Sequence, residues 1–476
     1  MDELRNAKVR ILEVELNYFR NVDKGLLKFS EYSRILKGDF NNSPGILGIY
    51  GQNGSGKTAV IIVMKLLKDL ILENPLDKQL FDNISIWSDT AMVKYTLLVS
   101  HIHEKYLIEY EVKLKKLAKS IVIDYEVLKT KTYLQKDNKW IKKLPVYKVD
   151  YNDEEIIDIF GLATKIENFD NKILMKTNVI KGICTENKTS LIFNQEIYDL
   201  LDDYRKNNDL IIHQYIIGAL KYYVKLNLFI INNKDSSLIT SSDMMNFNLR
   251  LENIRNNELL IHAGRIPVKL FESHLVPIDV YETIEQLTSE INIIMPTFLP
   301  NFSIEIVDLG SELMDDGNIG KKLEFVSVVN NHRIPLRNES EGTKKIVSIC
   351  SALIAVYNND TVCLCIDELD SGVFEYLLGQ ILKILSLGAK GQILFTSHNL
   401  RPLEVLGKDN IIVTTTNKNN RYIKLKNIKT TNNIRDFYLR GLLVGGQNEE
   451  IYKETDINDI ARAFRRAGEI HSGITN

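Results

Sequence analysis

"GILGIYGQNGSGKT", residues 45–58, is the stretch of the sequence that decides the fold. The apolar run GILGIY predicts a short buried strand, and the apolar segment after Thr58 predicts a helix. Residues 51–58 lie between them and fit the pattern G-x-x-x-x-G-K-[ST], which in this strand–loop–helix context is typical of a phosphate-binding loop. The stretch therefore predicts an α/β protein that binds a nucleotide.

The chemistry of a phosphate-binding loop explains the spacing of its residues. Glycines let consecutive backbone N–H groups turn toward phosphate oxygens. Lys57 offers a positive charge to the β- and γ-phosphates, Thr58 offers a hydroxyl to Mg²⁺, and the following helix adds the partial charge of its N-terminus. We expect ATP and Mg²⁺ as the ligands. The residues assigned to ATP are Gly51, Gln52, Asn53, Gly54, Ser55, Gly56, Lys57 and Thr58.

A second apolar strand ends in carboxylates. "TVCLCIDELD", residues 361–370, predicts a buried strand that ends at Asp367 and Glu368. Near a phosphate-binding loop, such an aspartate holds the water shell of Mg²⁺, and the next glutamate activates the attacking water. The carboxylates could instead cap the helix that begins near Val373. Because the chain also has the loop, the sequence favours Asp367 and Thr58 as metal ligands and Glu368 as the general base.

A histidine follows on the next predicted strand. "GQILFTSHN", residues 391–399, predicts a buried strand that ends at His398. A single histidine at a strand end usually has a structural role. His398, however, follows Glu368 by 30 residues, or one helix and one strand, which places it on the neighbouring strand. From there we expect its imidazole to hydrogen-bond to the γ-phosphate or to the attacking water.

"SEGTKK", residues 340–345, lies one predicted helix before the carboxylate strand. Asp367 follows Lys57 by 310 residues, whereas ring-forming AAA+ ATPases place their two nucleotide motifs in adjacent elements. A long insertion followed by a Ser/Gly motif resembles the ABC class, and in particular the ATPase heads of SMC and double-strand-break repair proteins. The resemblance implies that Ser340 and Gly342 form a signature motif at a helix N-terminus, which completes the nucleotide site of a second subunit.

The signature motif leads us to expect that the chain pairs with itself, as an ATP-sandwich dimer or a larger homo-oligomer. Ser340 can also cap its own helix, which is compatible with this role. Two features depart from the ABC pattern. SEGTKK differs from the LSGGQ of transporters, and no clear Q-loop follows the phosphate loop, for which Gln79 is the candidate.

The predicted fold class is α/β, an ABC/SMC-type ATPase head in which a mixed sheet with an antiparallel β lobe is interrupted by a mostly helical insertion. "VRILEVELNYFRNV", residues 9–22, predicts an edge strand of this head. The expected divisions are an N-terminal ATPase lobe with the phosphate loop and the antiparallel region at 1–155, the insertion at 156–300, a C-terminal ATPase lobe at 301–430 and a C-terminal extension at 431–476.

Four stretches resemble a narrower group: "GIYGQNGSGKT", "SEGTKKIVSICSALI", "IDELDSGVFEYLLGQIL" and "TSHNLRPLE". They are similar to the SMC-like ATPases of bacterial two-gene anti-phage systems, of the AbiL type and of the PARIS system (AriA). The tail at 433–456 adds to this resemblance, and the middle third diverges. The resemblance implies that the ATPase scaffolds and restrains a separately encoded Toprim-type nuclease, senses a phage-encoded trigger protein and releases the nuclease to stop growth. Only 78 residues follow His398, fewer than the roughly 100 that a nuclease domain needs.

Two other classes of ATPase share some of these motifs. A DNA-repair or chromosome-maintenance ATPase is the main alternative, but the insertion has neither sustained heptads nor a C-x-x-C zinc hook. The net charge of −2 gives no basic stripe, although direct nucleic-acid binding stays open. The motor of a membrane transporter would have a compact insertion and a signature closer to LSGGQ.

Other patterns predict a cytoplasmic protein. The N-terminal residues show no signal-peptide pattern, and no apolar run is long enough to span a bilayer. Cys363 and Cys365 share one face of a strand and are expected to be small buried hydrophobic residues, without a disulfide. The basic segment "ARAFRRAGEI" near the C-terminus predicts a solvated helix face or a docking element for a partner.

Overall fold

The computed structural model describes the chain except for residues 1–6, 41–43, 102–103, 119, 154–170, 203–207, 233–243, 256–257, 271, 427–432, 444–448, 454–455 and 473–476. Two of the predicted divisions, 155/156 and 430/431, lie outside the described residues. The division into four segments therefore stays a prediction.

Eighteen strands and eleven α-helices are described. The strands are β1 (Lys8–Phe19), β2 (Val22–Lys28), β3 (Gly45–Tyr50), β4 (Thr90–His101), β5 (Glu104–Leu117), β6 (Ser120–Leu134), β7 (Lys139–Asp150), β8 (Leu228–Ile231), β9 (Met244–Arg255), β10 (Glu258–Lys269), β11 (His274–Pro277), β12 (Phe302–Leu313), β13 (Ile319–Val329), β14 (His332–Pro335), β15 (Cys363–Ile366), β16 (Gln392–Thr396), β17 (Ile411–Thr414) and β18 (Tyr422–Ile423). The helices are α1 (Tyr32–Leu36), α2 (Lys57–Ile71), α3 (Asn171–Asn187), α4 (Gln195–Asp202), α5 (Asn208–Leu226), α6 (Ile278–Phe298), α7 (Glu341–Asn358), α8 (Glu375–Gly388), α9 (Pro402–Val405), α10 (Ile434–Leu443) and α11 (Ile457–Ser472).

The central sheet has six strands in the order β18-β17-β3-β16-β15-β8. The pairs from β17 to β8 are parallel, and β18 pairs with β17 antiparallel. Strands that alternate with helices favour such a sheet, because each crossover returns the chain in the same direction. The sheet is therefore mixed and mostly parallel, as predicted.

An antiparallel lobe is built from the N-terminal third of the chain. Its order is β2-β1-β4-β5-β6-β7, and every pairing in it is antiparallel. Together, the mixed central sheet and this lobe confirm the predicted fold class. The prediction that β1 is an edge strand is wrong, because β1 pairs with β2 on one side and β4 on the other. The polar residues that alternate along β1 suggested an edge, but neighbouring strands cover its backbone.

The central sheet separates two hydrophobic cores. Alternate side chains of a strand point to opposite faces. Cys363 and Cys365 thus join the core beneath the antiparallel lobe and α2, whereas Leu364 and Ile366 join the core formed with β9, α6 and α7. Both cysteines are fully buried with free thiols, as predicted.

Residues 156–300 hold more helix than strand among their described residues, but they also supply strands that were not predicted. β8 is the last strand of the central sheet, and β9 and β10 form an antiparallel hairpin. Met245, Phe247, Leu249 and Leu251 of β9 are buried on one face, against α7 and its neighbours. Their period of two was a usable strand signal. Among the described residues, no helix combines the length and apolar character needed to span a bilayer.

Two cations cover the outer edge of β8. Lys68 of α2 donates to the carbonyl of Leu228 at 2.7 Å, and Arg265 of β10 donates to the carbonyl of Ile230. Side chains on the open backbone of an edge strand block pairing with another chain. Burial and, to a smaller extent, the charge of Arg265 lower the pKa of Lys68 to about 8.

We expect Lys68 to make stability depend on pH. Its folded-state pKa lies below the ordinary value of a lysine, so the unfolded chain binds more protons and the folded state gains stability as the pH rises from 8 toward 10. Lys68→Met removes this proton linkage. The difference in thermal midpoint, parent minus variant, should therefore be larger at pH 9.5 than at pH 7.5. A difference that shrinks would contradict the depressed pKa.

A side-chain amide joins the lobe to the central sheet. The Gln392 amide at the start of β16 accepts from the backbone N–H of Ile11 at 2.8 Å and donates to the carbonyl of the same residue at 2.7 Å. The β1–β4 register shifts between Ile11 and Glu13 at this point. Arg10, next to Ile11, donates to the carbonyls of Asp360 and Lys390 at 2.9 Å each. β1 is thus tied to the N-terminal ends of the central strands.

Candidate functional site

The phosphate-binding loop connects β3 to α2, as the sequence predicts. Gly56 is the N-cap of α2 with φ +94°, and Gly51 has φ +154°. A Cβ atom at Gly51 would lie 1.7 Å from the hydroxyl of Thr414, and one at Gly56 would lie 2.7 Å from Val22. Both positions therefore require glycine, for conformation and for space.

The amino group of Lys57 lies inside the loop. It donates to the carbonyls of Gly51 at 2.8 Å and Gln52 at 3.0 Å, and the residue is 7% exposed. Burial lowers the pKa of Lys57, while the carboxylates of Asp367, Glu368 and Asp370 oppose that shift. The positive charge of Lys57 is thus held inside the loop, next to the backbone of its glycines.

Thr58 and Asp367 face each other at the end of the loop. The Thr58 hydroxyl lies 3.4 Å from Asp367 Oδ1, which also accepts from the Thr396 hydroxyl at 2.6 Å. Among the described residues, no group of three or more His, Cys, Asp or Glu side chains could hold a metal ion. A hydroxyl and a carboxylate fit Mg²⁺, which usually keeps water and binds substrate phosphates besides one or two protein oxygens.

Glu368 has an unusual backbone. Its φ is +48°, in the left-handed region that residues with a Cβ seldom adopt. Its N–H donates to the Thr396 hydroxyl at 2.7 Å, and its carbonyl accepts from Lys345 at 2.5 Å. Strain of this kind persists where the surroundings impose it, often at functional sites.

His398 follows β16 and is exposed. Its backbone N–H and that of Asn399 both donate to the Asp370 carboxylate, at 3.1 and 2.9 Å. His398 lines the same cavity as the loop residues 53–58. The turn after β16 is therefore tied to the turn after β15.

One cavity of about 360 Å³ brings most of the predicted residues together. Its lining includes the predicted residues Asn53, Gly54, Ser55, Gly56, Lys57, Thr58, Asp367, Glu368 and His398. Gly51 and Gln52 lie behind them, with their carbonyls turned to Lys57. Thr396, Arg20 and Asn21 complete the lining and were not predicted.

Arg20 and Asn21 occupy the turn between β1 and β2, 31 and 30 residues before Gly51, the first residue of the loop. Arg20 has φ +54°, and its N–H donates to the carbonyl of Asn83 at 2.6 Å. An arginine at the mouth of a phosphate site suits the planar, multidentate binding of phosphate oxygens. The tertiary packing of the lobe brings this turn to the cavity, and no local pattern in the sequence marks it.

The predicted signature residues lie outside this cavity. Ser340 is the N-cap of α7, its hydroxyl accepting from the N–H of Thr343 at 3.1 Å, and its side chain is exposed. Gly342 is buried in the first turn, where a Cβ atom would lie 1.9 Å from the carbonyl oxygen of Gly372. Ser340 and Gly342 therefore do not line the cavity that holds the other predicted residues.

Gln79 lies in a 3-10 helix, Lys78–Asn83, whose N-cap is Asp77. It lines a second cavity of about 680 Å³. Thr58 and Asp367 line both cavities, so Gln79 is on the side of the site that faces the proposed metal ligands. Its assignment to a Q-loop stays a prediction.

No known protein family and no curated protein matches the chain. Among solved structures, the chain is similar to an Smc head bound to the C-terminal winged-helix domain of ScpA (12% identity, 87% of this chain and 97% of that chain covered, TM-score 0.38). It is also similar to a Pyrococcus furiosus Smc head with an extended coiled coil (12%, 88% and 96%, TM-score 0.37) and to the recombination mediator RecF of the RecFOR pathway (12%, 85% and 97%, TM-score 0.35). Because these TM-scores are low, the assignment of the site rests on the residues described above.

Proposed function

We propose that this chain is an ABC/SMC-type ATPase head that binds ATP with Mg²⁺ and hydrolyses it to ADP and phosphate. The observation that carries the proposal is the shared cavity. A phosphate-binding loop with Lys57 and Thr58 faces the carboxylates of Asp367 and Glu368, and His398 stands on the adjacent strand end. Phosphoryl transfer needs few other parts, because positioning and charge stabilisation supply most of the catalysis.

In this mechanism each side chain has one task. Lys57 and the loop N–H groups hold the phosphates. Thr58 and Asp367 would hold Mg²⁺, which would supply positive charge that offsets the charge of the phosphates. Glu368 accepts a proton from the attacking water. Thr396 hydrogen-bonds to both the Asp367 carboxylate and the N–H of Glu368, so it fixes the position of the proposed metal ligand Asp367 relative to the proposed base Glu368. His398 hydrogen-bonds to the γ-phosphate or the water.

The exposed signature turn supports a dimer in the same proposal. Ser340 and the first N–H groups of α7 form a positive helix end that lies outside the cavity of their own chain. A second copy placed head-to-tail brings its γ-phosphate to this helix end. Two ATP molecules are then held between two chains.

Ser340→Arg should leave ATP binding intact and stop hydrolysis, because the arginine side chain blocks the approach of the second copy. ATP affinity by calorimetry and steady-state hydrolysis separate the two effects. Ser340→Thr retains a capping hydroxyl and Ser386→Arg adds the same bulk to a partly exposed site on α8, so both should retain activity. Normal hydrolysis by Ser340→Arg would refute the cross-subunit signature.

We further propose that this ATPase serves an anti-phage system, as the sequence resemblance implies. It would scaffold and restrain a separately encoded Toprim-type nuclease and release it on meeting a phage trigger protein. In the described part of the chain the longest helix, α6, has 21 residues, which leaves no long coiled-coil arm of the chromosome-maintenance kind there.

The partner can be tested in the native setting. Tagged Glu368→Gln protein, expressed from its own locus with flanking genes intact, should co-purify with a stoichiometric protein that carries Toprim motifs. Lys57→Ala protein is the matched control for dependence on ATP. Absence of such a partner, together with hydrolysis stimulated by DNA ends, would favour the DNA-repair alternative instead.

A further inference from the structure

Lys345 links the predicted signature helix to the predicted general base. It lies in α7, five residues after Ser340, and is 5% exposed. Its amino group donates to the carbonyl of Glu368 at 2.5 Å and to that of Ser371 at 3.2 Å. A lysine is seldom so buried unless its charge and donors are satisfied.

Lys345 contacts the strained part of the backbone. Glu368, with φ +48°, begins a turn in which the N–H of Ser371 also donates to the Glu368 carbonyl, at 3.0 Å. That carbonyl thus has two donors, while Thr396 accepts from the N–H of the same residue. The N–H of Glu368 is thus bonded to Thr396 of β16, and its carbonyl is bonded to Lys345 of α7.

A backbone contact reinforces the link between α7 and this turn. Gly342 packs so closely on the Gly372 carbonyl that no Cβ atom fits, and Gly372 itself has φ +74°. The first turn of α7 and residues 368–372 therefore meet at two points, a packing contact and the amino group of Lys345. Displacement of the helix end must disturb the Glu368 backbone.

We propose that Lys345 is a positioning residue for hydrolysis: it holds the Glu368 backbone in its left-handed conformation and couples it to the N-terminal turn of α7. This rests on the proposed function, in which Glu368 is the base and a second copy's phosphate meets that turn. Engagement of the signature turn is then transmitted through about one helical turn to the base of the same chain. The signature and the general base act as one unit.

The electrostatic setting agrees with this role. Burial lowers the pKa of Lys345 to about 8, against the opposing carboxylates of Asp370, Glu368 and Asp367. An ammonium has three N–H donors and a neutral amine has two. Lys345 can therefore donate to the carbonyls of both Glu368 and Ser371 in either protonation state. Lys345 therefore places hydrogen-bond donors next to the Glu368 turn. An apolar side chain of similar length has no such donors.

Lys345→Met tests the proposal, and Lys344→Met is the matched control. Lys344 is the residue of α7 just before Lys345, is 8% exposed and donates to the carbonyl of Arg337 at 3.1 Å, away from the Glu368 turn. We expect Lys345→Met to lower kcat by about 100-fold, the scale of a small misplacement of a catalytic group, with ATP affinity and thermal midpoint close to those of Lys344→Met. Lys344→Met should stay within about threefold of the parent kcat, and Lys345→Arg should restore part of the loss. Equal losses in Lys344→Met and Lys345→Met would overturn the specific role.

A double-mutant cycle shows whether Lys345 acts through Glu368. In a Glu368→Gln background, Lys345→Met should cause no further loss of the residual rate, because the group it positions is already disabled. An additive loss would mean an independent effect and would overturn the proposal. If Glu368→Gln is slow while Lys345→Met retains the parent rate, only this inference fails. If Glu368→Gln itself retains the parent rate, the general base and this inference fail together.

Discussion

Glu368→Gln protein should bind ATP with the affinity of the parent and hydrolyse it at least about 100-fold more slowly, since general base catalysis contributes roughly 10²–10⁴-fold. Glutamine retains the shape of the side chain but cannot accept the proton of the attacking water. The Glu368 N–H and carbonyl are held by Thr396 and Lys345, and the substitution leaves those backbone bonds in place. ATP therefore stays in the site, and the closed dimer should accumulate.

Single-turnover hydrolysis and the molar mass in the presence of ATP measure these two effects. Glu375→Gln changes an exposed glutamate of α8 and should behave as the parent does. Turnover by Glu368→Gln at the parent rate would assign the base elsewhere. If Glu368→Gln is slow but stays monomeric with ATP, the assignment of Glu368 as the base is supported and the sandwich dimer is not.

Lys57→Ala should abolish ATP binding at ordinary nucleotide concentrations. The amino group is the cation enclosed by the loop, and three carboxylates lie close enough to act on its pKa. Without it, the phosphates lose charge-assisted hydrogen bonds and meet those carboxylates directly. Two such bonds at roughly 1.5 kcal/mol each correspond to a loss of about 150-fold or more in affinity.

Calorimetry with ATP and Mg²⁺ measures the loss, and Lys65→Ala is the matched control. Lys65 lies on the same helix two turns away, and its amino group pairs with Asp69 and Asp77 at 3.4 and 3.5 Å. Its removal should change ATP affinity by less than about twofold, because pairs at exposed sites contribute little. ATP affinity of Lys57→Ala within a factor of a few of the parent would mean that the loop is not the phosphate site.

Much of the site is local in the sequence, and that is why it could be predicted. The phosphate loop needs its strand, its glycines and its helix within about 25 consecutive residues. The carboxylates of Asp367 and Glu368 likewise sit at the end of an apolar run, and the helix predicted between SEGTKK and that run is observed at Glu341–Asn358. Periodicity and turn chemistry are sufficient for such features.

The parts that were missed depend on tertiary packing. Arg20 reaches the cavity because β1 and β2 fold back over the loop, a contact that no spacing in the sequence indicates. β1 has the alternation of an edge strand, but pairing on both sides is decided by distant strands. Nor does the sequence show that Gly342 rests on Gly372, since these residues meet only after the helix and the strand have packed.

The amide of Gln392 has a mechanical consequence. This side chain accepts from the N–H of Ile11 and donates to its carbonyl. The two hydrogen bonds join the antiparallel lobe to the first residue of β16. The last residue of β16, Thr396, lies roughly 13 Å further along the strand. Its hydroxyl donates to the Asp367 carboxylate and accepts from the N–H of Glu368. β16 thus connects the lobe to the carboxylates that line the cavity. A movement of the lobe relative to β16 has to break the two hydrogen bonds between Gln392 and Ile11, so we expect the lobe and this strand to move together.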